Sequence, residues 1–199
     1  MPPHDATPLD QARALRERLV EDLPAGLVTH VDRVVEVGDE LARRWGLDAG
    51  LVRLMAQAHD VARHLGDAEW LARAAAYGIP VDDIERGAPV LLHGPVGAED
   101  LRRRYGIEDE RVLFAVRWHT PGHPDYPAEA WAMFIADKVE PHKVADWPLL
   151  ADVRRIALEE GLEAAALAYL DLRLQDAVRT SYAVQPQLVT TRNALLARR

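Results

Sequence analysis

Apolar residues recur at three- and four-residue spacing along almost the whole chain. Leu27, Val31, Val34, Leu41 and Trp45 form one stripe, which closes before Gly46. Leu51, Leu54, Met55, Ala58, Val61, Ala62 and Leu65 form a second, ending at Gly66. Asp67 stands where an N-cap is expected for a short helix through Tyr77, with Gly78 as its stop. Val112, Ala115, Val116 and His119 make another face, halted by Pro121 and Gly122, and Ala130, Phe134, Asp137 and Pro141 trace a further one. From Leu149 to Tyr182 the chain is rich in Ala, Leu, Glu and Arg, with Gly161 as the break between two helices, and a last helix starts at about Pro186. Alternating strand patterns with paired turns are missing, as are internal repeats, low-complexity tracts and long linkers. The pattern predicts one all-α domain: an N-terminal extension or helix over 1–24, a core over 25–145, and C-terminal helices over 146–199 packed onto the same domain. The most irregular stretches, Pro80 to Val96 and Thr120 to Pro127, are rich in Gly and Pro, and segments of that kind between packed helices are where sites tend to lie.

Composition narrows the chemistry. The 199 residues include no cysteine and eight histidines. A disulfide framework, a thiolate zinc site, an iron–sulfur cluster and a cysteine nucleophile are therefore excluded, so any metal must be held by histidine and carboxylate. The formal net charge is -8, with the arginines spread along the chain. The densest basic run, Arg102 to Arg104, reads as the solvated face of a short helix. Duplex phosphates would be repelled by such a surface, whereas a small anion could still enter a locally positive pocket. Asp5, Asp10, Glu17, Glu21 and Asp22 interrupt the first thirty residues, and no stretch approaches the length of an uncharged apolar span. Neither a signal peptide nor a membrane span is expected, and the chain reads as soluble and cytoplasmic.

The positions of the histidines are more informative than their number. His30 borders the buried face of its helix, His59 follows Ala58 and is itself followed by Asp60, and His119 continues an apolar stripe inward. His93 and, less clearly, His123 adjoin Gly-Pro turns, while His4, His64 and His142 read as surface residues. Asp137 falls one turn after Phe134 and Met133, on an apolar face where an ionised carboxylate needs a cation or a partner. Asp60 has the same need. Adjacent helical residues point about 100° apart, so His59 and Asp60 can share a metal only near a helix end, with neighbouring helices completing the shell. Imidazole and carboxylate donors suit iron, manganese, zinc or nickel better than calcium. The competing reading, hydrogen-bonded core histidines beside helix-end ion pairs, stays open on pattern alone.

The order His30, His59-Asp60, Asp137 resembles the HD-domain metal-dependent phosphohydrolase superfamily. Three stretches sharpen the likeness: Leu91-Leu92-His93-Gly94-Pro95-Val96-Gly97-Ala98, Trp118-His119-Thr120-Pro121-Gly122 and Ile135-Ala136-Asp137-Lys138-Val139-Glu140-Pro141. They are similar to signature segments of the YqeK-type symmetrical bis(5′-nucleosyl)-tetraphosphatases, which split diadenosine tetraphosphate into two ADP. Gln185-Pro186-Gln187 and Thr191-Arg192-Asn193-Ala194-Leu195-Leu196 resemble the end of that family, so the likeness spans about residues 25 to 197. The resemblance implies a single HD-type helical bundle and two divalent metal ions, usually iron, with manganese, cobalt, nickel or zinc as alternatives. It implies that His30, His59, Asp60 and Asp137 bind one ion, that Asp60 bridges to a second, and that His93 and His119 complete the protein ligands of the second ion. A hydroxide held between the ions would attack the polyphosphate. The expected partner is a small nucleotide, and a homodimer is compatible with the family although no interface signature is visible.

The departures lie on the substrate side. Arg63 stands where the family commonly has lysine; it is expected to contact phosphate and assist Asp60 in catalysis, unless it is a solvated helix-face residue. The loop Thr120-Pro121-Gly122-His123 lacks the family's arginine, so His123 either replaces it or merely occupies the loop. Thr120 and Gly122 are expected to shape the pocket, the glycine by allowing close backbone approach to ligand. Lys138 reaches a phosphate or else pairs with Glu140, and Trp118 is a candidate to pack near an adenine. His142 and Lys143 replace the common Asn and Arg after Glu140-Pro141. Two other functions stay open: a phosphatase or phosphodiesterase acting on another nucleotide, and a nucleotide-sensing binder without turnover.

Overall fold

A computed structural model describes residues 6–198, and among these no strand occurs. Helix α1 (Pro8–Asp22) starts at a capping box in which the Thr7 hydroxyl accepts from Asp10 N and the Asp10 carboxylate accepts from Thr7 N. It places Ala12, Leu15 and Leu19 in the common core against α3, and Arg16 forks onto Asp32 with two contacts of 2.7 Å. Helix α2 (Ala25–Trp45) carries the first apolar stripe and ends, as its spacing predicts, at the left-handed Gly46.

Helix α3 (Ala49–Ala58) is shorter than its apolar stripe predicts. Beyond His59 the chain keeps turning through bonds to the third residue back: Val61 N to Ala58 O, Arg63 N to Asp60 O and Leu65 N to Ala62 O. The tightened turns keep Val61, Ala62 and Leu65 on the core side, so the stripe persists after the α-helix has stopped. Asp67 is not the N-cap of α4 (Asp67–Tyr77); Gly66 occupies that position and Asp67 opens the helix, where its carboxylate meets the positive end of the helix dipole.

Most of the stretch from Pro80 to Val96 is helical, contrary to the irregular segment expected. After a short coil over 80–82 it forms α5 (Asp83–Gly87), opened by an Asp82/Glu85 capping box, then a 3-10 turn (Pro89–Leu92), then α6 (His93–Asp100). Pro89 and Pro95 sit in first turns, where no intrahelical N–H is needed, so they start helices here instead of breaking them. A wider-wound segment, Leu101–Tyr105, extends α6 and leaves Arg102, Arg103 and Arg104 on the surface.

Helix α7 (Glu110–Trp118) precedes the Thr120–Pro127 loop, and α8 (Ala128–Val139) follows it. Pro141 does not continue the α8 face; it opens α9 (Pro141–Asp146). Then come α10 (Leu150–Glu159), α11 (Leu162–Thr180) and α12 (Pro186–Ala197), with Gly161 at the expected break. Helix α8 is the centre of the molecule. Trp131, Met133, Phe134 and Ile135 are all fully buried, with α2 and α3 packed on one side and α10 and α11 on the other. No helix of the described residues is long and apolar enough to cross a membrane.

Candidate metal centre

Three of the key histidines share one local construction. His59 ends α3, His93 ends the 3-10 turn and His119 ends α7, and each ring folds back onto the carbonyl three residues earlier. His59 Nδ1 lies 2.8 Å from Ala56 O, His93 Nδ1 2.5 Å from Val90 O, and His119 Nδ1 2.7 Å from Val116 O. A carbonyl can only accept, so each Nδ1 donates its proton. Carbonyls at helix ends keep a lone pair for such a bond, which fixes the tautomer with the Nε2 lone pair turned inward. His30 is set differently, from within α2. Its Nδ1 lies 3.4 Å from Glu140 Oε1, and Glu140 in turn accepts from Arg33 Nε at 2.6 Å.

The inward atoms fall into two groups, His30, His59 and Asp137 in one and Asp60, His93 and His119 in the other, each with ligand atoms within 4.8 Å of one another. Asp60 lies between them. Its Oδ2 is 3.7 Å from His30 Nε2 and 3.5 Å from His59 Nε2, while its Oδ1 is 3.3 Å from His93 Nε2 and 3.4 Å from His119 Nε2. Asp137 Oδ1 completes the first group, 3.3 Å from His30 Nε2 and 3.5 Å from His59 Nε2.

The approach of His93 to His119 depends on Gly94. A methyl group at Gly94 would sit 2.8 Å from Arg117 O, so only glycine lets the start of α6 press against the end of α7. The two Nε2 atoms consequently meet at 2.9 Å.

Charge inside the site is set by close neighbours. Burial opposes ionisation of Asp60, yet the histidines around it, His59 foremost and then His119 and His93, hold its carboxyl well below the ordinary range. Burial likewise opposes ionisation of Asp137, but Lys138 and Lys143, each 2.5 Å from one of its oxygens, keep it charged. Burial pushes His119 down to about 4, so it stays neutral at ordinary pH. At His59 the Asp60 and Asp137 carboxylates outweigh burial and raise the pKa.

This donor set fits divalent metal. His59 Nε2 is buried without any hydrogen-bond partner among the described residues, although buried polar atoms are normally satisfied. With both Nδ1 atoms protonated, the facing Nε2 lone pairs of His93 and His119 repel each other unless a cation or proton lies between them. Imidazole nitrogens and carboxylate oxygens without sulfur match first-row transition ions.

The substrate-side residues are placed less uniformly. Arg63 is exposed on the turn after Asp60 and has no ion-pair partner among the described residues. Thr120 lines a cavity of about 120 Å³ together with Pro121, Tyr169 and Arg173. Gly122, expected to admit a ligand, admits protein instead. Its φ is 71°, a methyl group there would meet Thr191, Trp131 and Phe134 at 3.2–3.4 Å, and its carbonyl accepts from Thr191 Oγ1 at 3.0 Å. His123 belongs to the loop: its ring packs 4.8 Å from Phe114 and 5.5 Å from Trp118, and its Nδ1 accepts from Asp125 N. Lys138 does not pair with Glu140, which Arg33 holds; it is buried and donates to Asp137 Oδ2 and His119 O. Its role is to neutralise Asp137 and tie α8 to the end of α7. His64 and His142 are exposed, and His4 lies outside the described residues.

Sequence reasoning missed the supporting layer formed by Arg33, Glu140 and Lys143. Arg33 stands three residues after His30, a spacing that puts both on one helix face, and this was the available signal.

Comparison with known proteins follows the same lines. The HD domain family matches residues 27–142. Proteins named symmetrical bis(5′-nucleosyl)-tetraphosphatase are similar over most of the chain. The one from Staphylococcus aureus is 33% identical, covering 71% of both chains. The one from Halalkalibacterium halodurans is 31% identical, over 84% of this chain and 87% of its own, and the one from Bacillus subtilis 29%, over 84% and 88%. A crystal structure from Clostridium acetobutylicum, described as a predicted HD superfamily hydrolase involved in NAD metabolism, superposes with a TM-score of 0.87. It covers 94% of this chain and 97% of its own at 24% identity, a likeness of fold.

Proposed function

The chain belongs to the HD domain family, and from that premise we propose that it is a metal-dependent phosphohydrolase that splits a dinucleoside tetraphosphate, diadenosine tetraphosphate above all, symmetrically into two nucleoside diphosphates. The observation that carries this reading is the position of Asp60, one carboxylate oxygen turned toward each of two histidine groups. His30, His59 and Asp137 would hold one ion, His93 and His119 the other, and Asp60 would touch both. Two divalent ions so held, iron being the family's usual choice, would supply a water ionised at neutral pH and positive charge for the phosphoryl oxygens.

The protein's own groups do the remaining work. The Nδ1 bonds to Ala56, Val90 and Val116 carbonyls keep three imidazoles in the ligating tautomer. Lys138 and Lys143 balance Asp137 and add positive charge beside the place a polyphosphate would occupy. Arg63, exposed and unpaired among the described residues, is free to swing onto the substrate's phosphates. Thr120, next to His119 and on a cavity wall, is available as a hydroxyl donor.

Incubation of metal-loaded protein with diadenosine tetraphosphate is expected to yield ADP as the sole nucleotide product. ATP plus AMP, or no turnover with iron, manganese or cobalt, overturns the reading. One observation favours a second substrate: the packing of His123 between Phe114 and Trp118 leaves the loop without the cation that the family's arginine supplies. A nucleotide panel run beside the tetraphosphate separates the two.

A further inference from the structure

Beside the metal centre lies a cavity of about 240 Å³, walled by Lys138, Lys143, Asp146, Trp147, Tyr169 and Arg173. Two of those groups touch the centre: the Lys138 and Lys143 ammonium groups each hold an oxygen of Asp137. Tyr169 and Arg173 are also walls of the smaller cavity on which Thr120 lies, next to His119. The space thus adjoins both histidine groups without containing a ligand of either.

Its chemistry is specific. The Arg173 guanidinium lies 6.0 Å from the Trp147 ring centroid and 5.5 Å from that of Tyr182. Its ion pair with Asp176 is a single contact of 3.3 Å, with the arginine side chain 33% exposed, so the fork keeps unused donors. The Tyr169 hydroxyl has no hydrogen-bond partner among the described residues. Asp146, exposed at the rim, is an acceptor. An indole face beside two cations, with a hydroxyl donor and a carboxylate acceptor, matches a base, a phosphate and ribose hydroxyls in one ligand. Size points the same way: pockets for whole drug-sized ligands run to about 300–1,000 Å³, so this one takes a single nucleoside and not a dinucleotide.

Resting on the functional reading above, we propose that this cavity binds one nucleoside end of the substrate, with the base on Trp147, the ribose at Asp146, and the adjoining phosphates at Arg173 and Lys143. The other end of the dinucleotide must then leave across the metal centre in the opposite direction, which places the middle of the phosphate chain at the ions.

The test reads ADP, the expected product, on full-length protein loaded with manganese. In calorimetric titrations Trp147→Ala and Arg173→Gln are each expected to weaken ADP binding about tenfold, with a parallel rise in KM for diadenosine tetraphosphate. In Trp147→Phe, which preserves the packing, ADP-dependent quenching of tryptophan fluorescence is expected to disappear. ADP affinity within about twofold of the unaltered protein in all three variants overturns the subsite. Because ADP binding is measured apart from turnover, a protein that binds ADP through Trp147 but leaves the tetraphosphate intact refutes the functional reading and keeps the subsite. One that cleaves normally with unshifted ADP affinity refutes the subsite alone.

Discussion

Glu140 Oε1 lies 3.4 Å from His30 Nδ1, and Arg33 Nε holds the same carboxylate at 2.6 Å. His30 is the one histidine of the centre that no helix-end carbonyl orients, and this carboxylate does the orienting. Glu140 is almost fully buried and, despite that burial, the hydrogen bond from Arg33 keeps its pKa below the usual value, so it is ionised when it faces His30. Outer partners of this kind are worth about 10–100-fold in metal affinity. Glu140→Gln is therefore expected to weaken binding of the His30-side ion by that order in competition titrations with a chelating dye. Unchanged affinity would refute the role.

Asp60 serves both groups, so its loss should be felt at both. Asp60→Asn is expected to reduce bound metal from two ions per chain to one or fewer, by elemental analysis after gel filtration. Turnover should fall by more than about 100-fold, the upper end of what an outer partner alone costs. Two tightly held ions in the variant would contradict the bridging assignment.

Gly94 is a test of packing. The methyl group of Gly94→Ala would fall 2.8 Å from Arg117 O, a backbone atom that cannot turn aside. The expected cost is about 1–3 kcal/mol of stability, seen as a lower Tm. Because α6 must back away from α7, affinity for the ion of the His93–His119 group should fall as well, while the other group keeps its ion.

Asp109 caps α7, the helix that ends in His119, and its carboxylate accepts from Arg111 N at 2.9 Å. Hydrogen bonding to Arg111 depresses its pKa below 3.8. The folded state then binds fewer protons than the unfolded state around that pH. The contribution is therefore present in full above the unfolded value and is lost as pH falls through the folded one. Asp109→Ala should lower stability by about 1 kcal/mol at pH 7 in denaturant titrations, and the gap between variant and parent should narrow below pH 4. A gap constant with pH would show that the carboxylate charge is not what stabilises the cap.

The helices of this chain are written in local chemistry. The apolar spacing of Leu27 to Trp45 and of Leu149 to Tyr182, and the stops at Gly46, Gly78 and Gly161, depend only on neighbours a turn or so away. Where local signals compete, the sequence misleads. Proline and glycine between Pro80 and Val96 look like loop residues, but Pro89 and Pro95 occupy first turns and Gly94 serves packing. The stripe from Leu51 to Leu65 could not reveal that α-helical bonding ends at Ala58, because tightened turns keep the same side chains inward.

The histidines and aspartates of the centre were also legible, since a polar residue on an apolar stripe declares itself wherever the stripe is read. By itself the sequence determined an all-α chain without thiol chemistry, with His30, His59, Asp60, His93, His119 and Asp137 facing inward. It could not say which of them meet, because His30 and Glu140 stand far apart in the chain and touch only when α2 packs beside the end of α8. Only the tertiary structure decided that Gly122 serves α12, that His123 fills the loop, that Lys138 and Lys143 balance Asp137, and that Asp60 divides its two oxygens between two groups. The physical reason is range: helix periodicity is fixed within a turn or two, whereas a carboxylate's partners are fixed by whichever helices pack against it.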